Sequence, residues 1–138
     1  MAKALILDAE ALNALAHAAS RPSLAERAHA VLVVAREENA LVRVPAPVLA
    51  ETCRSVALDA AVQRILNGRG IGVVELSAGG ARHAGLLLAR AKLSSAHTVD
   101  AFVVATAACY ESAIIATHDP DDLTRLAAGL RSIRVLAI

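Results

Sequence analysis

The sequence predicts an α/β fold, a three-layer α/β/α sandwich built on a mainly parallel central sheet. Two observations lead there. Short apolar runs recur along the chain, each bounded by turn residues, as buried strands do. Segments of helical composition separate them, so successive strands are joined by crossovers that cover the sheet. Size bounds the answer. With 138 residues the chain suits one domain, residues 1–138, able to bury roughly two-thirds of the surface its unfolded form exposes.

Taken in order, residues 4–7 (Ala-Leu-Ile-Leu) read as the first strand. Residues 9–19 have helical composition and stop near Ser20-Arg21-Pro22. Ser23-Leu24-Ala25-Glu26 has the S-x-x-E form of a capping box, opening a helix to about Glu38. Residues 41–44 form a second strand, ended by Pro45 and Pro47. A helical stretch over 47–53 carries Glu51, and residues 57–66 make a further helix. Glycines 68, 70 and 72 lead into a third strand over 72–76. They precede a strand, and no Gly-Lys-Ser/Thr follows, so they are not a phosphate loop.

Gly79-Gly80 reads as a turn or loose entry to a helix over 81–92. After the polar break Ser94-Ser95-Ala96-His97, Thr98 is placed to cap an apolar helix over 99–110. Residues 113–117 are the fourth strand. A turn and helix over 119–127 follow, stopped by Gly129, and residues 133–136 form the last strand.

Composition excludes several classes. The chain is 57% hydrophobic and 20% charged, hence globular and not disordered. No run approaches the roughly 20 apolar residues of a membrane helix, and the N-terminus lacks the pattern of a signal peptide. A cytoplasmic protein with no membrane association is expected. Cys53 and Cys109 show no metal or redox spacing and read as buried thiols in a reducing compartment. The net charge of +1 shows no basic excess. Phe102 and Tyr110 are the only aromatics, so base stacking cannot carry nucleic-acid recognition.

The chemistry sits in four acids, Asp8, Glu51, Asp100 and Asp119. Asp8 and Asp119 follow the first and fourth strands, and open α/β sheets gather their binding groups just beyond the carboxyl ends of strands. Each has an ordinary structural use as well. Asp8 can cap a helix, Asp119-Pro120-Asp121-Asp122 resembles a helix start with Pro at N1, and Glu51 can sit on a solvated face. Asp100 is harder to explain that way, because Ala101-Phe102-Val103-Val104-Ala105 implies a helix packed on several sides. A helix N-terminus favours a carboxylate by only about 0.3–1 kcal/mol, whereas burying an unpaired charge costs several. A cation reverses that balance.

Mg²⁺ or Mn²⁺ suits such an all-oxygen set. Thr117 can add a hydroxyl beside Asp119, and Asp122 is a fifth acid or supporting partner. Arg54, one turn after Glu51, is a candidate phosphate contact. The direction of Glu10 is undecided. The five histidines show no pairwise metal spacing, which argues against zinc, and His118 is the one closest to the acids in sequence.

Four segments carry a resemblance to a known family: Leu5-Ile6-Leu7-Asp8-Ala9, Pro47-Val48-Leu49-Ala50-Glu51, residues 99–107 around Asp100, and residues 115–123 around Asp119. In this order the chain resembles PIN-domain proteins, specifically the toxin ribonucleases of bacterial VapBC toxin–antitoxin pairs. The resemblance implies a quartet of Asp8, Glu51, Asp100 and Asp119 as catalytic residues and metal ligands. It implies Mg²⁺- or Mn²⁺-dependent endonucleolytic cleavage of RNA, usually tRNA or rRNA, a cognate antitoxin that occludes the site, and toxin homodimers. Many relatives carry Ser or Thr after the first aspartate, whereas this chain has Ala9-Glu10.

Two rival readings remain on residues alone. A non-catalytic PIN-fold module would bind RNA or protein without cutting. A phospho-acceptor receiver would want an Asp after a middle strand and a late Lys; the middle strands end without an Asp, and no Lys follows Lys92.

Overall fold

The computed structural model describes residues 2–138. Strand β1, Lys3–Leu7, leads into helices α1, Ala9–Ala16, and α2, Pro22–Glu37. Strand β2, Leu41–Pro45, is followed by α3, Ala46–Thr52, and α4, Val56–Gly68. The short β3, Gly72–Val74, leads to α5, Ala78–Ala91, then a 3₁₀ turn, Ser95–His97, and α6, Thr98–Ala107. Strand β4, Ser112–Thr117, helix α7, Asp121–Ala127, and strand β5, Ile133–Ala137, complete the chain.

All five strands are parallel, in the order β3-β2-β1-β4-β5. The central position of β1 explains its unbroken apolar run: Ala4, Leu5, Ile6 and Leu7 are all buried, as expected for a strand covered on both faces. Helix α1 packs with α2, α3 and α4, while α5, α6 and α7 pack with one another. The two groups make the outer layers of a three-layer α/β/α sandwich. Helix α6 touches β1, β2 and β4 as well as α5 and α7. Packing on several sides accounts for its almost continuous apolar sequence, with Ala101, Val103, Val104, Ala105 and Ala107 buried.

Every predicted strand is present, with differences at element ends. Helix α2 opens one residue before the proposed capping box. Pro22, with its φ already set for a helix, occupies the first turn, Arg21 precedes it, and no side chain caps the end. Ser23 is therefore inside the helix. Thr98 does not cap α6 either: its hydroxyl donates backwards to the Ser95 carbonyl at 2.6 Å, tying the helix to the 3₁₀ turn. Gly79 and Gly80 lie within α5 and not in a turn, because Ser77 caps that helix through the Gly80 N–H at 2.9 Å. Strand β3 ends at Val74, two residues early. Of the two thiols, Cys53 is half-buried, but Cys109 is exposed beyond the end of α6.

Candidate active site

The strand order turns back between β1 and β4: successive connections from β1 step one way along the sheet, and those from β4 step the other. In such sheets the crevice beyond the carboxyl ends of these two strands is the natural site for binding groups. Leu7 pairs with Ala116 there, and the Asp8 N–H reaches the Ala116 carbonyl at 3.5 Å. Asp8 does cap α1, its Oδ1 accepting from the Ala11 N–H at 2.9 Å. That bond fixes a carboxylate which is only 8% exposed.

On the neighbouring strand, Thr117 is fully buried. Its hydroxyl accepts from the Asp119 N–H at 3.1 Å and lies 3.2 Å from the Asp119 carbonyl oxygen. The resulting tight turn holds Asp119 at the surface. Asp119 is not a helix cap: α7 begins at Asp121, with Pro120 in the cap position. Asp122 occupies the first turn of α7 and Asp100 the first turn of α6. Glu51 is exposed near the end of α3.

These elements converge. Asp8, Glu10, Glu51, Asp100, Asp119 and Asp122 line one cleft of about 150 Å³, with Ala9, Val99 and Val103. The whole predicted quartet is brought together, and Glu10 and Asp122 join it. A larger groove of about 470 Å³ lies elsewhere, between α2 and β4–β5. It is mostly apolar with Glu38 as its single acid, so size does not mark the chemistry. Arg54 is exposed and does not line the acid cleft. His118 also lies outside it, with Nδ1 2.9 Å from the Ile138 carbonyl oxygen.

The electrostatics are those of an under-neutralised acid cluster. The Asp100 carboxyl is pushed up to about 6, first by burial and then by the charges of Asp8, Glu51 and Asp122, with His97 opposing. Burial also raises Asp8, while hydrogen bonds from Thr117 and the backbone at Ala11 pull it back. Like charges at this density favour proton uptake unless a cation takes the proton's place. Hard carboxylate oxygens gathered in one cleft fit Mg²⁺ or Mn²⁺.

Sequence reasoning missed His97. The 3₁₀ turn places its Nδ1 3.2 Å from Asp122 Oδ2 and 4.0 Å from Asp100 Oδ2. One ligand atom from each of His97, Asp100 and Asp122 falls within 4.8 Å of the others, a spacing that can hold a metal ion. The only signal in the sequence was a histidine three residues before Asp100, since Asp122 comes from a different element.

A parallel α/β/α sandwich whose switch-point crevice is lined by carboxylates is the class these observations define. The chain belongs to the PIN domain family, which matches residues 5–129. Among solved structures it is similar to a chain of VapBC2 from Rickettsia felis, determined bound to a DNA fragment from their promoter. That match has a TM-score of 0.62 and 14% identity, over 96% of this chain and 98% of the other. At that identity the likeness is one of fold. No curated protein sequence gives a significant match.

Proposed function

We propose that this PIN domain is a metal-dependent endoribonuclease, acting in the cytoplasm as the toxin of a type II toxin–antitoxin pair. The observation that carries the reading is the convergence of Asp8, Glu51, Asp100 and Asp119 on one cleft at the switch point. The fold likeness to VapBC2, described as bound to a DNA fragment from their promoter, supports a cognate antitoxin as partner. The RNA substrate, tRNA or rRNA, belongs to the reading through the acid cleft and the family resemblance. A homodimer belongs to the same reading. Among the described residues no helix is long and apolar enough to cross a membrane.

Asp8, Asp100 and Asp119 would hold Mg²⁺ or Mn²⁺. When bound, such a cation polarises a phosphoryl oxygen and makes water a competent nucleophile near neutral pH. The chain supplies position and proton handling. Asp8 is locked by its capping bond and Asp119 by the Thr117 turn. Glu51, exposed at the cleft, is free to orient the attacking water and accept its proton. Asp122 lines the cleft beside these groups, and Thr117 holds the turn that carries Asp119. Val99 and Val103 give the cleft an apolar wall, which strengthens the electrostatic interactions beside it.

The test is cleavage of pooled tRNA and rRNA by the parent chain and Asp100→Asn, with Mg²⁺, Mn²⁺ or chelator, mapping product ends. Discrete cation-dependent cuts abolished by the substitution are the expected result. RNA binding without cutting, under every cation, would favour the non-catalytic module instead.

A further inference from the structure

The acid cleft cannot by itself hold an RNA strand. It contains six carboxylates and neither Lys nor Arg, and at about 150 Å³ it is well below the range of roughly 300–1,000 Å³ typical of small-molecule sites. A cation can offset the charge at the scissile phosphate. The adjoining nucleoside and its phosphate need hydrogen-bond donors and room elsewhere.

A second groove supplies both. It encloses about 370 Å³ and is lined by Asn13, His17, Ser20 and Arg21, with Thr52 and Leu58 among its remaining walls. Glu51 lines both cavities, so the two are neighbours on either side of it. They are joined a second time at the rim, where Glu10 of the acid cleft pairs with Arg21 of the groove at 3.4 Å. Arg21 is the one Lys or Arg among the described residues lining either cavity. Its side chain and that of Glu10 are each about half exposed, at 49% and 48%. An exposed pair of this kind is weak, so a phosphate can replace Glu10 at little cost, and a guanidinium matches phosphate geometry.

The other groups suit a nucleoside. Asn13 presents an amide, both donor and acceptor, which can pair with a base edge. Phe102 and Tyr110 line neither cavity, so recognition rests on edge hydrogen bonds and not on stacking.

We infer that the groove over the end of α1 is a nucleotide subsite, with Arg21 on the phosphate next to the scissile one and Asn13 reading the adjoining base. The inference rests on the ribonuclease reading and adds to it the residues that choose where the strand is cut. It also moves the phosphate contact from Arg54, which lines neither cavity, to Arg21, which lines the groove.

The experiment measures binding of labelled single-stranded RNA in Ca²⁺ by anisotropy across a salt series, and base preference at the cut in Mn²⁺. Arg21→Ala, Arg21→Lys, Asn13→Ala and Arg54→Ala are compared with the parent. Arg21→Ala should weaken binding about tenfold and lower the salt slope by about 0.7, the share of one single-strand phosphate; Arg21→Lys should restore part of both. Asn13→Ala should flatten base preference at one position beside the cut while leaving Mn²⁺ affinity unchanged. Arg54→Ala should change none of these. Unaltered affinity, slope and preference in both groove variants, with the parent still binding RNA, would overturn the subsite alone. A parent chain that binds no RNA in any cation would overturn the ribonuclease reading and the subsite with it.

Discussion

Asp8 on the end of β1 and Asp100 on α6 face the same cleft, and after burial the charge of Asp8 is the next largest influence holding the Asp100 carboxyl up at about 6. The consequence for stability has a definite sign. A raised carboxyl pKa means that the folded chain binds more protons than the unfolded chain between the ordinary value of 3.8 and about 6. Stability contributed by this group therefore falls as pH rises through that window. In chelator, Asp100→Asn should melt no lower than the parent at pH 7, and its advantage should shrink as pH is lowered toward 4. A clearly lower melting temperature for the variant at pH 7 would make Asp100 a structural residue.

A cation should reverse that order. Binding to the folded state alone adds about 2.7 kcal/mol at a concentration one hundred times Kd. Thermal melts with saturating Mn²⁺ should therefore rise for the parent, and rise much less for Asp8→Asn or Asp100→Asn. Equal shifts in all three would place the bound ion outside this cleft.

The two roles of Asp8 are separable, because Asn caps helices about as well as Asp while Ala does not. Both Asp8→Asn and Asp8→Ala remove the buried charge, so the difference between them isolates the 2.9 Å bond to the Ala11 N–H. Denaturant titration in chelator should place the Ala variant about 0.5–2 kcal/mol below the Asn variant. RNA cleavage should be lost in both. Retained cleavage in Asp8→Asn would remove Asp8 from the ion-binding set.

Much of this was legible in the sequence, for local reasons. All five strands could be read because each is a short apolar run with turn residues at its ends, and β1 needs no pairing partner to be recognised as buried. Asp8 and Asp119 stood out because each comes within two residues of the end of such a run. What escaped depended on competition or on distance. The Ser23 capping box lost to Pro22, whose fixed φ starts the helix earlier. Gly79 and Gly80 were absorbed into α5 because Ser77 supplied the cap. Arg21 and Glu10 are eleven residues apart and His97 and Asp122 twenty-five, so neither pair is visible until the chain has folded.

His97 also offers the means to ask which cation the cleft prefers. Its Nδ1 lies 3.2 Å from Asp122 Oδ2, so in the metal-free state it acts as a counter-ion whenever it is protonated. As a neutral imidazole the same nitrogen can ligate. Mg²⁺ demands oxygen ligands and keeps its waters, whereas Mn²⁺ and later divalent ions accept imidazole nitrogen more readily. His97→Ala should therefore weaken Mn²⁺ binding more than Mg²⁺ binding, lowering the ratio of the two affinities severalfold. Electron paramagnetic resonance of Mn²⁺, with Mg²⁺ as competitor, reads that ratio without any RNA. His97→Asp replaces the nitrogen with oxygen and should recover Mg²⁺ affinity without recovering the preference for Mn²⁺. If His97→Ala weakens both ions equally, the imidazole is an electrostatic partner of Asp122 and not a ligand, and selectivity rests on the carboxylates alone.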